Sequence, residues 1–520
     1  MQLRLRLRKF STISSGSILG KNWNPLPIPH GTIPKPLGQD LDFINVAHSH
    51  LVHTDWPKLN ALATALTPFR VKHILLLIQK DPVLSFEFFN WAERFKPNSH
   101  SLDTVSIILH VLTKANRFKS AEVILRSVLT GRSLDSCLDI FDAILYTYRI
   151  CDSSPRVFDC LFKTCAHLRK FRNATDVFCR MKEYGFLPKV ESCNAYLSSL
   201  IGLKRADIAL RFYREMLRCR ISPNVYTYNM VICALCQSGK LEKAVEVFKE
   251  MENRGCSPTI ESYNTLIAGH CNQGLISSAM KLKSSMAKNG IQPNVVTYNT
   301  LIHGFCKEGK LNEANRVFSE MKVMDTPPNT ITYNTLINGY SQVGNSDMGY
   351  RIYEEMLTHA VKTDILTYNA LILGLCKEGK TKKAASLVKE LDKDNLVPNA
   401  STFANLITGQ CVRQNSERAF QLFRAMKKSG CHPNAYTFNI LISTFCKNED
   451  FEGAVQVLNE MLDRLLKPES DLLVELCEGL GRCKNYKLVY KVCMDIEKRG
   501  LLPEGFEKQK FIMVEGEVPD

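Results

Sequence analysis

The chain has 520 residues, of which 45% are hydrophobic, and a formal net charge of +15. It can bury a large core, and its basic excess is compatible with a polyanionic partner. No apolar run approaches the roughly 20 residues of a membrane-spanning helix, and 19 cysteines, many at one recurring apolar position, point to a reducing compartment instead of a disulfide scaffold.

Residues 1–40 read as an organellar transit peptide and linker. Arg4, Arg6, Arg8, Lys9, Lys21 and Lys35 precede the first acid, Asp40, and Ser11, Thr12, Ser14, Ser15 and Ser17 lie among them. Arg8–Lys9–Phe10 followed by Ser11 resembles a mitochondrial processing site, so mitochondrion is expected ahead of chloroplast; a plain basic tail is the simplest alternative. Pro25–Pro36 reads as linker. Residues 41–101 form an N-terminal helical region, with helical patterns over Val71–Gln79 and Pro82–Phe95. Residues 102–154 hold a degenerate repeat around Ala121, then a spacer from Cys137 to Ser154.

From residue 155 the chain falls into register. Tyr228, Tyr263, Tyr298, Tyr333, Tyr368, Phe403 and Phe438 recur every 35 residues. Cys236, Cys271, Cys306, Cys376, Cys411 and Cys446 keep the same phase, with Ser341 filling the gap. Ala244, Ala279, Ala314, Ala384, Ala419 and Ala454 do so as well, and Met251, Met286, Met321, Met356, Met426 and Met461 mark a second segment. Within Val295–Asn329, the residues Tyr298, Leu301, Ile302, Phe305 and Cys306 form one apolar helix face. Gly309 suits a helix C-terminus, Leu311, Ala314, Val317, Phe318 and Met321 make a second stripe, and Pro327 and Pro328 are expected to stop that helix. Such a hairpin has too much apolar surface to bury alone. The predicted fold class is an all-α solenoid of helix-turn-helix hairpins with a 35-residue period, ten units over 155–504, and a short tail at 505–520.

No metal or cofactor is expected. Cys233 and Cys236 make a lone CxxC without a second pair, and His270, His303 and His432 read as surface residues. No catalytic set stands out from the repeat pattern, and the tail is too short for a catalytic domain, so the chain reads as a non-enzyme.

At TYNTLIHGFCKEGK, residues 297–310, the chain resembles the pentatricopeptide repeat family, in its P-class, plant organellar form. The resemblance is strong over 155–504 and weak over 102–136. It implies a right-handed α-solenoid that binds single-stranded organellar RNA, one base per unit, with the N-terminal unit toward the RNA 5′ end. It implies a sequence-specific role by occupancy in transcript stabilisation, intron splicing or translation, with other RNA-processing proteins as further partners. A protein–protein scaffold, or a recruiter of a separate nuclease or splicing factor, is the alternative.

The resemblance also implies which residues read bases: the polar residue after the Tyr, and the last residue of the unit. The pairs are Asn194 with Asn224, Asn229 with Thr259, Asn264 with Asn294, Asn299 with Asn329, Asn334 with Asp364, Asn369 with Asn399, and Asn439 with Glu469. Ala404 with Asn434 departs from the pattern, and Asp159 with Lys189 and Val474 with Glu504 are unreadable. By the family code the first six pairs take pyrimidines, with uracil favoured by Asp364. Val296, Ile331 and Leu366 would sandwich bases, while Glu191 and Glu261 weaken their units. A single such Asn equally suits a helix start or turn. Recurrence in phase favours base reading, because a scaffold has no evident reason to repeat one carboxamide.

Overall fold

The structure, a computed structural model, describes residues 25–96, 100–131, 137–393 and 395–506. The leader read in residues 1–24 and the tail from 507 onward lie outside the described residues. All regular elements among the described residues are helical. The chain divides into two compact units, Met1–Gly269 and His270–Asp520.

The first unit opens with an irregular helical region. The helix Pro68–Ile78 starts earlier than its apolar pattern, because the Thr67 side chain accepts from the Arg70 N–H and Pro68 occupies the first turn. Asp81 and Pro82 start the helix Pro82–Phe95 in the same way. The helices Leu102–Lys114 and Phe118–Thr130 form a hairpin over the fully buried Ala121. The spacer contains a helix of its own, Cys137–Thr147. His110 is buried against it, with Nε2 3.1 Å from the Ile144 carbonyl and 3.0 Å from Thr147 Oγ1. The Pro-rich stretch is fastened to this helix. The Tyr146 hydroxyl accepts from the Thr32 N–H at 3.0 Å and donates to the Thr32 carbonyl at 2.7 Å.

Regular hairpins follow in both units. The first helices Val190–Gly202, Val225–Gln237, Val295–Lys307, Thr330–Gln342 and Ile365–Lys377 illustrate the phase, and each is followed by a second helix such as Leu311–Val323. Gly309 lies beyond the end of Val295–Lys307 at φ 71°, a left-handed turn that suits glycine. Pro327 and Pro328 do not end the second helix. Leu311–Val323 stops with Met324 as its cap and Asp325 at φ 52°, and the prolines hold the extended lead into the next unit.

Within each unit, first helices pack directly on one another, as Val190–Gly202 does on Val225–Gln237 and Thr330–Gln342 on Ile365–Lys377, and second helices such as Leu311–Val323 pack on their own first helix and the next. The repeated Gly and Cys explain the close approach. A Cβ on Gly339 would lie 2.7 Å from Cys306 Sγ, and one on Gly409 would lie 2.6 Å from Cys376 Sγ. In the first unit, a Cβ on Gly269 would meet Cys236 Sγ at 2.4 Å, so half of the lone CxxC is a packing contact. The recurrent Tyr has a packing role too. Tyr263 meets Phe248 of the preceding second helix at 5.0 Å between centroids, and Tyr333 meets Phe318 at 5.5 Å, both edge to face. His270 corrects the surface expectation. It is buried, at the same place in its helix that Phe305 and Tyr340 fill in theirs.

Candidate nucleic-acid interface

The last residue of a regular unit caps the first helix of the next. The Asn329 Oδ1 accepts the Thr332 N–H at 3.1 Å, and the Thr332 hydroxyl accepts the Asn329 N–H at 3.1 Å. Asp364 and Thr367 repeat this capping box, with the Thr367 N–H 2.9 Å from Asp364 Oδ1. Asn224 with Thr227 and Asn399 with Thr402 do the same. The helix-start role therefore belongs to the second reading position.

The first reading position sits one turn inside the helix and reaches forward to that cap. Asn194 Nδ2 donates to Asn224 Oδ1 at 3.1 Å, and Asn299 Nδ2 donates to Asn329 Oδ1 at 3.3 Å. Asn334 Nδ2 donates to Asp364 Oδ1 at 2.9 Å, and Asn369 Nδ2 donates to Asn399 Oδ1 at 3.2 Å. Each pair is thus brought together side chain to side chain. These bonds fasten one unit to the next, so the recurring carboxamide has a structural cause as well. That removes the expectation that a scaffold has no reason to repeat it.

Capping also fixes which atoms are left for a ligand. A cap must accept from backbone N–H groups, so its amide oxygen faces the helix and the NH2 of Asn329 or Asn399 is turned away from it. In Asp364 the outer atom is Oδ2, an acceptor with no hydrogen-bond partner among the described residues. In Asn194, Asn299, Asn334 and Asn369 the bond to the cap uses one Nδ2 hydrogen of two.

The other expected residues divide. Asn229 accepts from the Ser262 hydroxyl at 2.6 Å, with Thr259 at the start of the helix. Asn264 falls in the first compact unit and Asn294 in the second. Asn439 and Glu469 are not joined. Glu469 makes no side-chain cap, and the buried Asn439 Oδ1 has no hydrogen-bond partner among the described residues. In the first of the two units without a reading, burial raises the Asp159 carboxyl above the usual range, while the Lys189 N–H donates to it at 2.9 Å. Asn194, Asn229, Asn369 and Asn439 are buried, and Asn299 and Asn334 are half-buried.

Three residues before each Asn stands the side chain expected to sandwich a base. Val296 is 55% exposed, Ile331 62% and Leu366 60%. Glu191 and Glu261 are exposed at the same position. Two residues were missed by the sequence reading: Tyr226, 51% exposed, and Tyr436, 56% exposed, occupy this position in their own units. Their register alone would have found them, and an aromatic ring is the better stacking surface.

Fold and site together define a helical-hairpin repeat protein whose first helices carry paired polar side chains beside bare apolar ones. The model described as PPR repeat family matches residues 188–237, 223–263, 258–307, 293–341, 328–377, 363–412 and 401–447, and the PPR repeat model matches 156–186 and 436–464. These matches cover more than half of the chain, and it belongs to the PPR repeat family. It is 67% identical over 201 residues to the Arabidopsis thaliana Pentatricopeptide repeat-containing protein At4g26680, mitochondrial, across 39% of each chain. It is 34% identical over 176 residues to the Arabidopsis thaliana protein At2g15630, mitochondrial, across 34% of this chain and 27% of that one. The chain thus spans well under half the length of these relatives. The pentatricopeptide repeat protein PPR10, crystallised in complex with an 18-nt psaJ RNA element, aligns with 91% of this chain and 76% of its own, at 21% identity and a TM-score of 0.47.

Proposed function

We propose that the chain is a sequence-specific, single-stranded RNA-binding protein of plant mitochondria that acts by occupancy. Bound to a transcript, it blocks an exonuclease, holds an intron in a foldable state or frees a ribosome site. The observation that carries this reading is the repeated pairing of a bare apolar side chain with a carboxamide pair whose outward atoms are set by helix capping. A base stacked on Ile331 places its edge toward the Nδ2 of Asn334 and the Oδ2 of Asp364. The repeats over 295–399 bring three such sets into succession in the second compact unit, and all three fit pyrimidines, with uracil at the Asn334–Asp364 pair. Two more pairs, Asn194 with Asn224 and Asn229 with Thr259, extend the reading in the first. The mitochondrial assignment rests on the basic, acid-free start of the chain and on the names of its relatives.

The scaffold reading keeps some support, because the paired amides also fasten adjacent units. A binding selection on random RNA separates the two. A pyrimidine-rich motif with uracil under the Asn334–Asp364 unit is the expected result, with log affinity falling as log salt rises. A purine-rich motif, or no enrichment at all, overturns the proposal.

A further inference from the structure

The third residue of a regular unit is a buried hydroxyl that no base-reading rule uses. Thr227 Oγ1 donates to Asn194 Oδ1 at 2.7 Å. Thr332, Thr367 and Thr402 donate to Asn299, Asn334 and Asn369 Oδ1, each at 2.6 Å. Ser262 takes the same place against Asn229, also at 2.6 Å. In every case the partner is the reading carboxamide of the preceding unit.

The bond has one polarity. A Thr hydroxyl carries a single hydrogen. The hydroxyl of Thr367 already accepts the Asp364 N–H, and it lies closer to Asn334 Oδ1, at 2.6 Å, than to Asp364 Oδ1, at 3.0 Å. Turning the Asn334 amide over would set its oxygen 2.9 Å from a carboxylate oxygen that already accepts a backbone N–H. The hydroxyl and the cap therefore agree: oxygen to the next helix, NH2 to the cap and the ligand. The end of the array lacks both fixers. There the third residue is Leu472, Glu469 does not cap, and the buried Asn439 Oδ1 has no partner among the described residues.

We propose that this third-position hydroxyl is a positioning residue for base selectivity: it locks the amide orientation of the Asn one unit earlier, so that Asn334 can only donate to its base. The readout unit for each base is then a triplet, with Asn334, Asp364 and Thr367 as one example. Asn439, outside such a triplet, has no fixed amide orientation and discriminates weakly. This inference rests on the base-reading proposal above.

The test is a competition panel of RNAs that differ only at the base facing Asn334, with all four bases offered to wild type, Thr367→Val and Thr367→Ser. Thr367→Val keeps the shape and removes the hydroxyl. It should reduce the preference for pyrimidine over purine at that base by about tenfold, the worth of one good hydrogen bond, and leave preferences at the neighbouring bases unchanged. Thr367→Ser should restore wild-type preference. A lower melting temperature with an unchanged base ratio would show a purely structural hydroxyl and overturn the inference. A wild-type chain with no preference at that base would instead overturn the base-reading proposal, and this one with it. Leu472→Thr supplies an arm that does not depend on the folding of the first variant. It should raise the pyrimidine preference at the base facing Asn439 by about threefold or more, and no gain there counts against the inference.

Discussion

Asp364→Asn should convert one uracil position into a cytosine position without touching the fold. Asp364 Oδ1 is occupied by the Thr367 N–H at 2.9 Å and Asn334 Nδ2 at 2.9 Å, which leaves Oδ2 as the outward acceptor. Uracil presents an N3–H to that acceptor, whereas cytosine presents a lone pair. In the variant, capping holds the new amide oxygen inward and its NH2 outward, so the match reverses. A hydrogen bond to a charged group contributes about 1.5–3 kcal/mol and a neutral one about 0.5–1.5 kcal/mol. A uracil preference of roughly ten- to hundredfold should therefore become a cytosine preference of up to about tenfold. Asn and Asp are about equal as caps, so the melting temperature should stay within a degree or two of wild type. Fluorescence anisotropy with two RNA oligonucleotides, uracil or cytosine at that base, reads the ratio directly. A variant that binds as tightly as wild type and still prefers uracil would refute the reasoning.

Other perturbations test the packing and the stacking surface. Gly339→Ala drives a Cβ to 2.7 Å from Cys306 Sγ and should destabilise by about 1–3 kcal/mol in thermal melts, with Cys306→Ala added to the same chain giving partial recovery. Tyr226→Ala and Tyr436→Ala remove half-exposed rings, so each should weaken RNA binding by about 1–3 kcal/mol with little change in melting temperature. His110 is held neutral by burial, its pKa lowered to about 4 despite the Ile144 carbonyl. The unfolded chain takes up that proton near pH 6.5, so stability present above that pH should fall by about 3 kcal/mol as pH drops toward 4. Melts of wild type and His110→Gln across that range check it, and an equal slope in both would remove His110 as the cause. A fluorescent fusion of the first ~60 residues should reach mitochondria, and a plastid or diffuse signal would count against that location.

The 35-residue phase was legible in the sequence because every helix of a hairpin stack buries the same stripe, and burial leaves a one-residue-type signature at Tyr298, Ala314 or Met321. The polar residues of the proposed pairs recur in the same register, but the base-reading role given to them came from the family resemblance and not from periodicity. Tertiary structure decided what those residues do with each other. A carboxamide at Asn334 and a carboxylate at Asp364 stand 30 residues apart, and only the stacking of one first helix on the next brings them to 2.9 Å. The Thr367 hydroxyl had no role in the sequence reading, and only packing sets it 2.6 Å from Asn334. The repeated Gly and Cys likewise carried no sign of mutual contact, since they belong to different units and meet only across the helix interface. Periodicity records which face is buried. The partner across that face, and the direction in which a buried amide must point, follow from hydrogen-bond geometry in three dimensions.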